Sequence, residues 1–114
     1  MGAESRRMPR RMVSGLNEVV DVMTEETVGH LGNLSVGGML LIASTPMVED
    51  ALYQLRFNLP DSSGPGVEVG AHVLWRDDAS APGQSWIGLR FLGLAPQATR
   101  SLREWINHGN ADKR

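Results

Sequence analysis

Apolar residues recur at every second position through much of the chain. Tyr53, Leu55, Phe57 and Leu59 share one face of a segment whose other face carries Gln54, Arg56 and Asn58, the period of a half-buried strand. Val67, Val69, Ala71, Val73 and Trp75 repeat the pattern against Glu68, Gly70 and His72; Leu74 is the exception, and the segment is expected to end at Arg76-Asp77-Asp78. Between the two lies Pro60-Asp61-Ser62-Ser63-Gly64-Pro65-Gly66, turn chemistry that predicts an antiparallel hairpin. A further strand, Ser85 to Leu92, sets Ile87, Leu89 and Phe91 on one face after a loop containing Pro82-Gly83. Less regular strands are expected over about Leu16–Met23, Thr27–Leu34 and Met39–Ala43, with Gly37-Gly38 separating the last two. Six short strands suggest a closed or nearly closed antiparallel barrel, which leaves a small sheet without exposed edges.

The period changes after Pro96. Ala98, Leu102, Trp105 and Ile106 form one helical stripe, with Gln97, Arg100, Arg103 and Glu104 off it, and Pro96 suits a first helical turn, where its missing N–H has no partner to lose. The stripe is expected to cover the barrel. Gly109 is placed to terminate the helix. The expected organisation is a flexible Arg-rich arm over residues 1–13, a β-barrel with its C-terminal helix over 14–109, and a frayed tail over 110–114.

At 114 residues, 41% hydrophobic and without cysteine, the chain has room for one core held by packing alone. The missing cysteines exclude disulfides, thiolate metal sites and a cysteine nucleophile. The longest apolar run, Met39 to Ala43, is far short of a membrane span, and no secretory signal pattern follows the N-terminal arginines, so a cytoplasmic location without membrane insertion is expected. Charge is unevenly spread. Residues 1–12 hold Arg6, Arg7, Arg10 and Arg11 against Glu4, so a chain of net charge −2 places +3 there and −5 in the rest. No Lys or Arg occurs between Met12 and Leu55.

The usual signs of catalysis are missing, and no enzymatic activity or cofactor is expected. His30, His72 and His108 fall in different elements without metal-ligand spacing, and read as surface or hydrogen-bonded residues. Neither a nucleophile elbow nor a glycine-rich phosphate loop occurs. The acidic pairs Glu25-Glu26, Glu49-Asp50 and Asp77-Asp78 fit turn and edge chemistry.

Two features remain: Arg6-Arg7-Met8-Pro9-Arg10-Arg11 and Asn33-Leu34-Ser35-Val36-Gly37-Gly38. Together they resemble the bipartite signature of PilZ domains, an RxxxR arm followed by [D/N]xSxxG. Asn33, Ser35 and Gly38 fill the second half; Arg6 with Arg10 and Arg7 with Arg11 both fit the first, and Pro9 before Arg10 favours the former. Met39-Leu40-Leu41, the long hairpin, Gly88-Leu89-Arg90-Phe91 and the final helix extend the likeness. The resemblance implies a six-stranded β-barrel with a C-terminal helix, a bacterial source, and cyclic di-GMP (c-di-GMP) as ligand. It assigns Arg6, Arg7, Arg10, Arg11, Asn33, Ser35 and Gly38 to binding.

The chemistry suits that ligand. A planar guanidinium meets guanine O6 and N7 with two hydrogen bonds, pairs with phosphate and stacks on purine faces. Asn33 and Ser35, at alternate positions of an extended segment, face the same side and are expected to meet the same base. Asn33 offers a neutral carbonyl where an Asp would offer a carboxylate. Gly38 is expected at a close approach that a Cβ would block. Trp75 and Trp86 read as core or partner-facing, with the ligand surface as the alternative, and Arg90 adds positive potential without an assigned contact. The expected function is a single-domain receptor whose arm orders on the ligand and which signals to a partner protein in motility, pilus or biofilm machinery. The alternative is a ligand-independent adaptor for motility, pilus or secretion machinery; nucleic-acid binding fits a pI of 5.9 poorly.

Overall fold

The longest of the early strands organises the sheet. In the computed structural model, which describes residues 8–62, 66–79 and 81–112, strands β1 (Arg11–Met12), β2 (Glu18–Asp21), β3 (Glu26–Ser35), β4 (Gly38–Ala43), β5 (Leu52–Phe57), β6 (Val67–Asp78) and β7 (Ser85–Leu92) precede one helix, α1 (Pro96–Asp112). One edge of β3 pairs with β2 and the other with β4, and β2–β5–β6–β7–β4 completes the circuit. Six antiparallel strands therefore close into a barrel, as the turn spacing predicts.

The seventh strand, β1, was not expected. Ten-residue β3 outreaches four-residue β2, which leaves its last residues an open edge. β1 covers that edge, with Arg11 opposite Leu34 and Met12 opposite Asn33, and Val13 N–H donates to the Gly32 carbonyl at 3.0 Å. Part of the segment assigned to a flexible arm is thus an element of the sheet. Residues 1–7, with Arg6 and Arg7, lie outside the described residues.

Inside the barrel, Val19, Leu41, Leu55, Val73 and Ile87 are fully buried, and the Phe57 and Phe91 rings stack with centroids 6.2 Å apart. Two bulges alter the alternation. At Gly32 the β3–β4 register slips, so Leu31 and Leu34, three residues apart, both point inward. At Leu74 the β6–β7 register slips, and the next side chain reverses direction. Trp75, which the even spacing sets with Val67 to Val73, is therefore outside and 44% exposed. Beyond it β6 continues through Arg76 and Asp77 to Asp78, pairing with Ser85 as a ribbon exposed on both faces. Polar side chains carry no penalty there, so the charged run does not end the strand.

Helix α1 buries Leu102, Trp105 and Ile106, the expected stripe, and the Trp105 indole N–H donates to the Pro60 carbonyl at 2.9 Å. The helix does not stop at Gly109 but runs on to Asp112. Gly109 keeps a negative φ and serves packing instead: a Cβ there would overlap the Arg11 side chain. No helix among the described residues is long and apolar enough to cross a membrane.

Candidate functional site

The strand registers bring Asn33, Ser35 and Gly38 to one outer face. Ser35, Gly38, Arg90 and His72 form one row across β3, β4, β7 and β6, and Asn33, Leu40, Gly88 and Trp75 form the next. Each row contains a glycine near its middle, so the face is sunken there. A Cβ at Gly38 would overlap the Leu89 carbonyl of β7, and one at Gly88 would overlap the Trp75 indole, which lies over β7 because no side chain holds it off.

The resulting depression has two lobes. One, of ≈ 290 Å³, is bordered by Arg10, Asn33, Leu40, Leu74, Trp75 and Gly88. The other, of ≈ 300 Å³, is bordered by Met8, Arg10, Ser35, Gly38, Leu74 and Arg90. Arg10, Leu74 and Leu89 belong to both. No Asp or Glu lines either lobe, whereas three other surface clefts carry Asp78, Glu18, or Asp61 with Glu104. On an acidic chain, this face is electrostatically suited to an anion.

The two arginines that follow Pro9 diverge. Arg10 Nη1 donates to Asn33 Oδ1 at 2.5 Å at the rim of the depression. Because a guanidinium offers only donors, it fixes the Asn33 carbonyl oxygen toward itself. Arg11 turns to α1, donating through Nη1 to the Trp105 carbonyl at 2.7 Å, with its guanidinium carbon 4.1 Å from the Trp105 ring centroid. That is a cation–π and hydrogen-bonded anchor between β1 and the helix.

Ser35 is 3% exposed. Its Oγ accepts from the Gly37 and Gly38 N–H groups at 3.1 Å each and donates to the Gly38 carbonyl at 3.4 Å, so the hydroxyl shapes the β3–β4 turn. Asn33, on the same side of β3, is half-buried and borders the depression. The structure thus joins Arg10 with Asn33 at one rim, sets Ser35 and Gly38 in the adjoining turn, and takes Arg11 away. Among the histidines, His72 Nε2 lies 2.6 Å from Asp50 Oδ1.

Sequence reasoning favoured core or partner over the ligand surface for Trp75, gave Arg90 positive potential without a contact, and did not place Gly88 on this face. The signal for Trp75 was Leu74 itself, an apolar residue at a polar position, which marks the bulge that turns the tryptophan outward. For Gly88 and Arg90 the signal is register, which pattern alone does not supply.

A small closed barrel with a cationic depression beside its N-terminal strand is the class of protein these features define. The model of the PilZ domain family matches residues 4–108, and the chain belongs to that family. Among solved structures it is similar to the Bacillus subtilis inhibitor of motility MotI/DgrA, with TM-score 0.78 and 18% identity over 96% of this chain and 52% of that one. It is also similar to the PilZ domain of Escherichia coli YcgR with c-di-GMP (TM-score 0.68, 19% identity, 96% of this chain and 94% of that one). YcgR in complex with c-di-GMP gives TM-score 0.74 and 20% identity over 96% of this chain and 47% of that one. The chain spans about half the length of MotI/DgrA and of this longer YcgR chain. No curated protein sequence matches it.

Proposed function

We propose that the protein is a cytoplasmic receptor for c-di-GMP, without catalytic activity, that binds the ligand in the depression beside β1 and presents the altered surface to a partner protein. The observation that carries this reading is the Arg10–Asn33 hydrogen bond at the rim of an acid-free depression in a PilZ barrel. The YcgR structures, which hold c-di-GMP on the same fold, support the choice of ligand.

The residues divide the ligand between them. Arg10 leaves Asn33 and meets a phosphate or the O6/N7 edge of a guanine, both of which accept from a guanidinium fork. Freed Asn33 accepts from the guanine N1–H or N2–H. Leu40 and the Trp75 indole supply an apolar wall against which a base stacks, a contact typically contributing about 1–3 kcal/mol. Arg6 stands four residues before Arg10 and is its matching cation. The Arg11 anchor on α1 supports this register over Arg7 with Arg11. Ser35 and Gly38 act chiefly through the shape of the turn.

The test is a pair of neighbours. Arg10→Ala should weaken c-di-GMP binding by more than about tenfold, the loss of one or more charge-assisted hydrogen bonds, with the apo melting temperature nearly unchanged. Arg11→Ala should lower the melting temperature. Equal ligand affinity in Arg10→Ala and wild type would overturn the assignment of Arg10, whereas a wild type that does not bind c-di-GMP would favour the ligand-independent adaptor.

A further inference from the structure

Arg90 is the charged residue of this face to which the proposed division of the ligand gives no task. It is exposed on β7, directly opposite Gly38 on β4 and His72 on β6. His72 is engaged by Asp50. Arg90 makes no ion pair among the described residues, whereas Arg56 and Arg76 do, with Glu25 and Asp78. Its side chain lines the same lobe as Arg10, and Gly38 between them carries nothing to separate the two.

A cation with no ion-pair partner among the described residues, facing an acid-free hollow, is available to an anionic ligand. Two strand spacings, roughly 10 Å, separate β7 from β3, and Arg10 is bonded to Asn33 on β3, so Arg90 and Arg10 border the depression from opposite sides. A mononucleotide has its phosphate at one end and engages one rim. A cyclic dinucleotide carries a phosphate on each side of its ring and engages both. We infer that Arg90 contacts the second phosphate of the bound cyclic dinucleotide and so selects two-phosphate ring ligands; this rests on the c-di-GMP reading above.

Substitution of an exposed side chain with no ion-pair partner among the described residues should leave the fold intact, which makes the test direct. Arg90→Gln, Arg90→Lys and a charge-matched control, Arg103→Gln on the exposed face of α1, are titrated with c-di-GMP at low and high salt alongside wild type. Arg90→Gln should bind about tenfold more weakly and show a shallower salt dependence, because one of several screened attractions has gone. Arg90→Lys should recover most of the affinity through its charge, and Arg103→Gln should match wild type. The melting temperatures of all four should coincide. Binding of Arg90→Gln within about twofold of wild type, or a loss that Lys does not rescue, overturns the inference. Wild-type protein that does not bind c-di-GMP overturns the functional reading and the Arg90 role together, whereas the first two outcomes leave that reading standing.

Discussion

The Arg11 side chain occupies the space that a Cβ at residue 109 would fill, so Gly109, inside α1, is the seat of a cation carried by β1. In an ordinary helix interior Gly→Ala stabilises by about 1 kcal/mol. Here Gly109→Ala should displace Arg11 and lose its contacts with Trp105, about 2 kcal/mol, for a net loss of about 1 kcal/mol and a fall in melting temperature of about 4–8 °C. In an Arg11→Ala background the same substitution should stabilise by about 1 kcal/mol. A double-mutant cycle by thermal or urea unfolding checks the change of sign.

Gly38 meets a harder obstacle. A Cβ there overlaps the Leu89 carbonyl, backbone of a paired strand that cannot swing aside as Arg11 can. Gly38→Ala should destabilise the barrel by about 2–3 kcal/mol, measured as a lower urea midpoint at unchanged slope. Loss of ligand binding in this variant would then follow from damage to the β3–β4 turn.

Trp75 separates ligand contact from stability. It is 44% exposed, so Trp75→Ala should alter the melting temperature little while weakening c-di-GMP binding about tenfold, and Trp75→Phe should retain part of the stacking. Titration followed by tryptophan fluorescence should show a ligand-dependent change that disappears in both variants.

Asn33→Asp should tighten binding. In the free protein it converts an exposed hydrogen bond with Arg10 into an exposed ion pair, which adds only about 0–1 kcal/mol. Against a desolvated guanine the carboxylate accepts from N1–H and N2–H together, at roughly twice the strength of neutral bonds. The net expectation is an affinity gain of about fivefold by calorimetry; a weaker complex would show that Asn33 does not read the guanine edge.

The hairpins, the six barrel strands and the helical stripe were legible because each depends on a period of two or on the spacing of a helix. The Arg and Asn-x-Ser motifs were legible because their order and residue types are distinctive. What pattern did not reveal follows from single-residue events. The Leu74 bulge reverses Trp75; the mismatch in length between β2 and β3 recruits Arg11 and Met12 into the sheet; and Gly109 reads as a terminator until Arg11 is seen against it. The partition of neighbouring arginines, Arg10 to Asn33 and Arg11 to Trp105, is a tertiary fact that no local motif encodes.

The most direct test of the central claim is calorimetric titration of the wild-type protein with c-di-GMP, with GTP and linear di-GMP as controls. Saturable binding of the cyclic dinucleotide, tighter than either control and weakened by salt, is the predicted result. Absence of heat with tens of micromolar protein, or equal affinity for all three, would contradict the receptor reading and leave a protein-docking role for the barrel.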